Sequence, residues 1–510
     1  MSSRGKKLKI NMITGIIQEL VAVACGLILP RFVLSFFGSS YNGLVNSITQ
    51  IMAFSVVLRS GLGAVTNAAL FKPLAENDFD SVSGIMVATK NFMNKVAALL
   101  IVFIFGFAFI YPLIVADEFS YWSTFFLVLI IGASSFVENM FSIKYKILLQ
   151  ADQKYYVQTV TAVIAQVLST GFSVLLMFLG FGIHVVRIGT VLGFMTTPFM
   201  LKLYVDKKYK IDWTVAPDDS AIKTRWDAFI QQFATIVNNN IPTIVITVML
   251  SMKELSVYSL YNMVTRNLVQ LFSTCLAGVK ATFGNMLALG EHDRLQQRFE
   301  NIELLVYICS TIFFVTAAIM ITPFVLVYTK DVVNDVNYNR YWLGTLISMV
   351  SMMYIIRIPY QLLVEADGIF KETRNGSFLE IVLNIVVSVI FILLFGVTGI
   401  VVGGFVAALV RTTQFAVIAC KKILNISVLN VIKKCLFYFI LSIGIITATY
   451  YLDCFDCSSF LEWILKALVV FCSVTAVVIL TSLIFQFKQC KNILMYFLKK
   501  KSKEHKYVSK

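Results

Sequence analysis

The sequence predicts an all-α polytopic membrane protein, and three observations carry that prediction. Of its 510 residues, 58% are hydrophobic and only 14% charged, whereas charged residues make up about a quarter of an ordinary soluble domain. Apolar stretches long enough to cross a hydrocarbon core of ~30 Å as a helix recur from Ile10 to Phe487 with short polar breaks. The chain also echoes itself. Tyr41-Asn-Gly-Leu through Glu76 returns in outline about 217 positions later as Tyr258-Ser-Leu-Tyr through Asp293, Leu148–Asp152 returns as Leu363–Asp367, and Lys207-Lys208 as Lys421-Lys422. Hydrophobic helices resemble each other at any register, so a steady offset marks duplication rather than shared composition.

Fourteen spans are expected, at 10–37, 43–69, 91–115, 122–148, 157–180, 184–205, 226–250, 256–285, 300–328, 340–364, 376–396, 398–420, 434–452 and 462–486. The repeat groups them into a six-helix lobe at 1–205, a cytoplasmic linker at 206–224, a second six-helix lobe at 225–420, an amphipathic linker with two extra helices at 421–486, and a basic tail at 487–510. Because each copy has an even number of spans, both enter the membrane from the same side, and the repeats are parallel about an axis along the membrane normal. Polar residues such as Asp212, Pro217 and Asp218 make the linker turn-rich, as a connection between moving lobes or an ordinary solvated loop would be. Leu424 to Lys434, ending in Lys433-Lys434, reads as a segment lying flat at the headgroups.

The net charge of +15 sets topology rather than nucleic-acid binding. Lys and Arg gather at alternate breaks, as the bias of basic residues toward cytoplasmic loops requires, and both termini are expected on the cytoplasmic side. Ile10 to Phe37 is too long for a signal-peptide apolar region and is needed for the repeat. The nine cysteines read mostly as small buried hydrophobes; Cys454-Phe-Asp-Cys457 lies in an external loop, where a local disulfide stays open and a lone CxxC is weak evidence for metal. No metal site or catalytic residue is expected. His184, His292 and His505 are far apart in sequence, and HExxH, P-loop and GxSxG motifs are missing from their required contexts. External loops are short, which disfavours a membrane glycan polymerase, an enzyme needing room for acceptor and catalytic groups.

Ionisable groups inside spans cost ~2.5 to 3.5 kcal/mol on the insertion scale and therefore face a cavity or a partner. Glu19, Arg31, Arg59 and Glu138 do so in the first lobe; Arg266, Lys280, Arg357, Glu380 and Arg411 do so in the second. Arginines predominate, and guanidinium forks bind phosphate oxygens two at a time, so a cavity holding Arg31, Arg59, Arg266 and Arg411 would select an anion bearing phosphate or carboxylate. Arg357, Lys280 and Glu380 lie near cytoplasmic ends, where snorkelling to headgroups is the stronger reading. Under the repeat offset Glu19 faces Ile236, Arg31 faces Val248, Arg59 faces Leu276 and Arg266 faces Thr49: the scaffold repeats and the charges do not. Span seven holds Asn238-Asn239-Asn240-Ile241-Pro242, where proline frees a carbonyl beside three amides; these can line a polar cavity or coordinate a cation, or simply bond to neighbouring helices. Pro30 and Pro242 are candidate hinges. Glu19, beside Gln18, is the carboxylate suited to carry a proton or ion-pair with Arg59 or Arg266.

The residues resemble the multidrug/oligosaccharidyl-lipid/polysaccharide flippase superfamily, and within it the polysaccharide transporters of the Wzx type. The resemblance covers essentially the whole chain. It rests on the basic N-terminus leading into Asn11–Arg31, the Phe37-Gly38-Ser-Ser-Tyr41-Asn-Gly43-Leu44 turn, Arg59-Ser-Gly61-Leu-Gly63, and the Leu148–Asp152 boundary with its copy. It implies two six-helix bundles in a V around a central cavity, with the two extra helices of the glycolipid flippases, in a bacterial cytoplasmic membrane. It implies alternating access by a transporter that carries undecaprenyl-diphosphate-linked oligosaccharide from the cytoplasmic to the outer leaflet for cell-surface polysaccharide. Matched by position, the family's cavity would be lined here by Glu19, Arg31, Arg59, Asn238, Asn239 and Arg266. The implied partners are the lipid-linked oligosaccharide, membrane lipids and other polysaccharide-assembly membrane proteins, without nucleic acid. No cofactor is implied beyond a coupling Na+ or H+. A multidrug antiporter and a peptidoglycan-precursor flippase of the same superfamily are the alternatives.

Overall fold

The computed structural model describes residues 3–58, 62–218, 226–276, 278–451, 456–487 and 489–490, and among them the chain is helical with turns and no strand. The helices are α1 (Ser3–Met52), α2 (Ser55–Leu58), α3 (Leu62–Glu76), α4 (Phe79–Ile114), α5 (Tyr121–Val137), α6 (Ile143–Ala151), α7 (Tyr155–Phe178), α8 (Ile183–Lys208), α9 (Trp226–Met249), α10 (Met252–Leu276), α11 (Val279–Ala288), α12 (His292–Thr329), α13 (Tyr341–Ala366), α14 (Phe370–Phe395), α15 (Val397–Ile418), α16 (Val428–Tyr451) and α17 (Phe460–Phe485). Short π-helical stretches join α5 to α6 (Glu138–Ser142) and extend α15 (Ala419–Leu424). Among the described residues, eleven helices are long and apolar enough to cross a membrane: this is a multi-pass membrane protein.

The expected break between the first two spans is a single residue. Gly38, at φ 80° and ψ 179°, turns α1 sharply while helix continues on either side, a backbone region open to glycine and costly for a side chain. The disrupted ladder is repaired by Asp335, whose carboxylate accepts from the Ser39 backbone N–H at 3.0 Å and from its hydroxyl at 2.5 Å. Five residues on, the helix meets the start of α10 so closely that a Cβ on Gly43 would lie 1.9 Å from the Met252 carbonyl oxygen.

Contacts divide the chain into two units. Unit 1 is Met1–Ser256 with Val332–Val336; unit 2 is Val257–Asp331 with Asn337–Lys510. In unit 1, Leu70, Val82, Met86, Leu148 and Leu201 form a buried core between α3, α4, α6 and α8. In unit 2, Phe314, Met352, Ile355, Tyr438 and Val478 do the same, which seats the extra helices α16 and α17 in the core with α12 and α13.

The stretch after α8 is docked. Tyr209 donates its hydroxyl to Asp152 at 2.5 Å and receives Lys154 Nζ at 3.1 Å; burial and the bond to Asp152 raise the Tyr209 pKa. The Asp212 backbone N–H reaches Ser83 Oγ at 3.0 Å, and the Asp218 N–H reaches the Gly84 carbonyl at 3.1 Å. Hydrogen bonds from Thr214 hold the Asp212 carboxyl below its usual range. Residues 219–224 of the expected linker lie outside the described residues.

Nor is Leu424–Lys434 a separate surface helix. The π turn carries α15 through Leu424, Asn425 turns in the left-handed region, and α16 starts at Val428. Lys434, in the second turn of α16, pairs with a buried carboxylate described below.

Candidate functional site

The sequence-predicted residues fall on both units. In unit 1, Gln18 and Glu19 sit on α1, Gln18 half-buried and Glu19 exposed, with Arg31 half-buried further along the same helix. At 1.5 Å of rise per residue, Glu19 and Arg31 are about 18 Å apart along the axis. Pro30 lies inside α1 without ending it, and Pro242 lies inside α9 likewise. Next to Pro242, Asn238 and Asn240 are buried and Asn239 is exposed. Asn240 folds its amide back to donate to the Ile236 carbonyl at 2.7 Å, and its own side-chain oxygen is buried without a donor among the described residues. Helix α9 is held against α1 by a 2.8 Å hydroxyl pair, Ser47 with Thr247. Glu138, at the π-helical stretch, pairs with Lys146 at 3.0 Å. Arg59 lies outside the described residues.

Unit 2 holds Arg266, exposed on α10, and Arg411, which is buried on α15. Arg411 donates to the Thr373 carbonyl at 2.7 Å, to Gln414 Oε1 at 2.6 Å and to Ser377 Oγ at 2.7 Å, and its Nε stands 3.6 Å from Glu380. Arg357 of α13 donates to the other oxygen of the same carboxylate at 2.8 Å and stacks over Tyr354 at 4.8 Å. Arg357, half-buried, and Glu380, buried, thus pair with each other rather than snorkelling, while the more exposed Lys280 bonds Glu365 at 2.8 Å. A guanidinium beside a desolvated carboxylate gains more from the pair than from reaching for headgroups. Two arginines on one glutamate leave this cluster with an excess positive charge.

Sequence reasoning missed Glu303. It is 2% exposed on α12 and accepts Lys434 of α16 at 2.7 Å and the hydroxyl of Tyr360, which lies 3.4 Å from that of Tyr307. The signal was an acid one turn into the apolar span that Glu300 opens, with a lysine entering span thirteen. Tyr307 and Tyr360 also border an apolar cavity of about 310 Å³ whose other walls include Phe405, Cys435, Leu436 and Phe439. Among the described residues no group of three or more His, Cys, Asp or Glu is placed to hold a metal ion.

Chemically, these side chains can attract anions through Arg31 and Arg266, hold an apolar chain in unit 2, and stiffen unit 2 through two buried ionic clusters.

Comparison with known proteins fits this arrangement. Residues 92–327 match the family described as polysaccharide biosynthesis protein. No curated sequence is similar enough to match the chain. Among solved structures, the lipid II flippase MurJ in an inward closed conformation superimposes with a TM-score of 0.67 at 15% identity, covering 93% of this chain and 98% of that one. An inward-facing multidrug resistance MATE family transporter superimposes with a TM-score of 0.63 at 15% identity, covering 80% of this chain and 96% of that one; an outward-facing form gives 0.54 at 15% identity, with 81% and 95% covered. The chain is thus similar over residues 92–327 to a polysaccharide biosynthesis family and shares the fold of the MurJ and MATE family transporters.

Proposed function

We propose that this transporter is a polysaccharide flippase of the Wzx type, moving undecaprenyl-diphosphate-linked oligosaccharide from the cytoplasmic to the outer leaflet of a bacterial cytoplasmic membrane by alternating access. The observation that carries the reading is the match of residues 92–327 to a polysaccharide biosynthesis family. A surplus of intramembrane arginines supports it, because a diphosphate headgroup needs cationic partners in a low dielectric. The apolar cavity beside Tyr307 and Tyr360 suits a polyprenyl chain. Binding energy from headgroup and sugars would favour one conformation and release the other. Arg31, Arg59 and Arg266 are assigned to the diphosphate. Gln18, Glu19, Glu138 and Asn238–Asn240 are assigned to polar lining or to a coupling Na+ or H+, with Pro30 and Pro242 as hinges. The buried, donor-free oxygen of Asn240 supports the cation role.

In cells that depend on this protein, Arg59→Ala and Arg266→Ala should each abolish surface glycan and accumulate lipid-linked precursor at unchanged protein level. Normal export from both variants would overturn the assignment. Purified protein in vesicles should exchange lipid-linked repeat units between leaflets under a Na+ or pH gradient; covalent chain extension instead would identify a polymerase.

A further inference from the structure

Away from the arginines, unit 1 gathers a second cationic centre. Lys90 of α4 and Lys144 of α6 converge on one indole from the docked stretch after α8: their Nζ atoms lie 5.4 Å and 5.3 Å from the centre of the Trp213 ring. Lys144 also stands 5.2 Å from the ring of Tyr145. Lys202 of α8 is close enough for its charge to act on Lys144, and Asp206 is the carboxylate acting with opposite sign. Two ammonium groups from two helices thus share one indole, with Lys202 and Asp206 within electrostatic range of Lys144, and no ion pair to Lys90, Lys144 or Lys202 occurs among the described residues. The aromatic faces of Trp213 and Tyr145 offset part of the repulsion; they supply no net negative charge. Trp213 is half-buried and Lys202 exposed, so the centre is open to an incoming anion.

Its surroundings are built. Tyr209, Asp212 and Asp218 pin the docked stretch to unit 1 on both sides of Trp213, and Trp213 packs against the buried core that contains Met86, Leu148 and Leu201. The indole is therefore held over the lysines by backbone and core contacts rather than by the lysines alone.

We infer that Lys90, Lys144 and Lys202, with Trp213 as a cover, form a binding site for a phosphate-bearing anion at the lysine-rich end of unit 1, distinct from the intramembrane arginines. A phosphate group here would neutralise the centre and tie the docked stretch to α4, α6 and α8 through charge as well as packing. The phosphate could be carried by an anionic phospholipid headgroup or by a soluble diphosphate.

The test uses the full chain in neutral detergent, with W122F, W226F, W342F and W463F leaving Trp213 as the fluorescent reporter. Phosphatidylglycerol, phosphatidylcholine and inorganic pyrophosphate are titrated separately. A saturable change in Trp213 emission with phosphatidylglycerol and none with phosphatidylcholine assigns the site to a lipid headgroup; a saturable change with pyrophosphate alone assigns it to a soluble diphosphate. In either case each of K90Q, K144Q and K202Q should weaken binding about fivefold, and the triple variant should abolish it. The K90R/K144R/K202R variant keeps the charge, so it should bind and report on folding. Failure of all three probes, or equal affinity in the parent and the folded triple glutamine variant, would overturn the site.

Discussion

The α7–α8 pair of unit 1 and the α14–α15 pair of unit 2 are built on the same device and carry opposite contents. In each, two glycines four residues apart let the helices touch backbone to backbone. A Cβ on Gly193 would lie 2.2 Å from Ser169 Cα, and one on Gly403 would lie 2.6 Å from the Ser388 nitrogen. One turn earlier, Gly189 meets Leu176 and Gly399 meets the Phe391 carbonyl. A hydroxyl stitches each pair: Ser173 with Thr190 at 2.7 Å, and Ser388 to the Ile400 carbonyl at 3.1 Å. Without a hydrophobic drive between helices in lipid, this close approach of small residues is what joins them. Eight residues past the second glycine the pairs diverge. Unit 1 has Leu201, fully buried in the core, where unit 2 has Arg411; eight residues before the facing serine, unit 1 has Thr161 where unit 2 has Glu380. A common frame thus holds packing in one unit and a net-positive ionic cluster in the other.

Glu380→Gln should break the comparison most. It leaves two guanidiniums facing each other around a neutral amide, and losing one partner of a buried charged set costs about 3–5 kcal/mol. Thermal unfolding in detergent should show a large drop in Tm, whereas Thr161→Ala at the matching place in unit 1 should shift it little. Equal effects would mean that the Glu380 cluster contributes no more than a hydroxyl.

Next in size come the glycines. Gly193→Ala and Gly403→Ala each drive a methyl group into backbone that cannot rotate away, so the helices must part, at a cost of about 1–3 kcal/mol for overpacking. Because the device is shared, the two variants should lose similar stability. A strongly asymmetric result would show that the ionic cluster, and not the glycine seam, joins α14 to α15.

The frame was legible in the sequence and the contents only partly. Apolar length and the steady repeat offset located the long apolar helices, since a spanning helix needs little beyond length and hydrophobicity, but the spans expected whole at 43–69 and 256–285 are divided, among α1, α2 and α3 and between α10 and α11. The single-residue turn at Gly38 was not legible as such, because helix resumes at once on either side. Partnership was the harder matter. Arg411 read as a cavity group from its position in a span, yet four acceptors from α14 and α15 engage it. Lys434 read as a headgroup anchor because its partner Glu303 lies 131 residues away, a separation that pattern alone does not bridge. The spacings Gly189-x-x-x-Gly193 and Gly399-x-x-x-Gly403, which stand at the two tight helix pairs, carried no expectation.

The smallest expected loss of stability separates stability from function in the cluster. Replacing the whole set, as R357M/E380T/R411L, gives unit 2 the Thr161 and Leu201 contents of unit 1 and removes every charge together. Exchanging a buried ionic group for apolar residues of similar volume is neutral or stabilising, by up to about 4 kcal/mol, so Tm should hold or rise even though Glu380→Gln alone lowers it. Export measured beside Tm then decides what the charge is for. If the triple variant is stable and exports normally, the cluster is a structural alternative to apolar packing. If it is stable and inactive, the excess positive charge at Arg357 and Arg411 acts in transport, and the divergence of the two helix pairs is where the duplicated frame acquired its function.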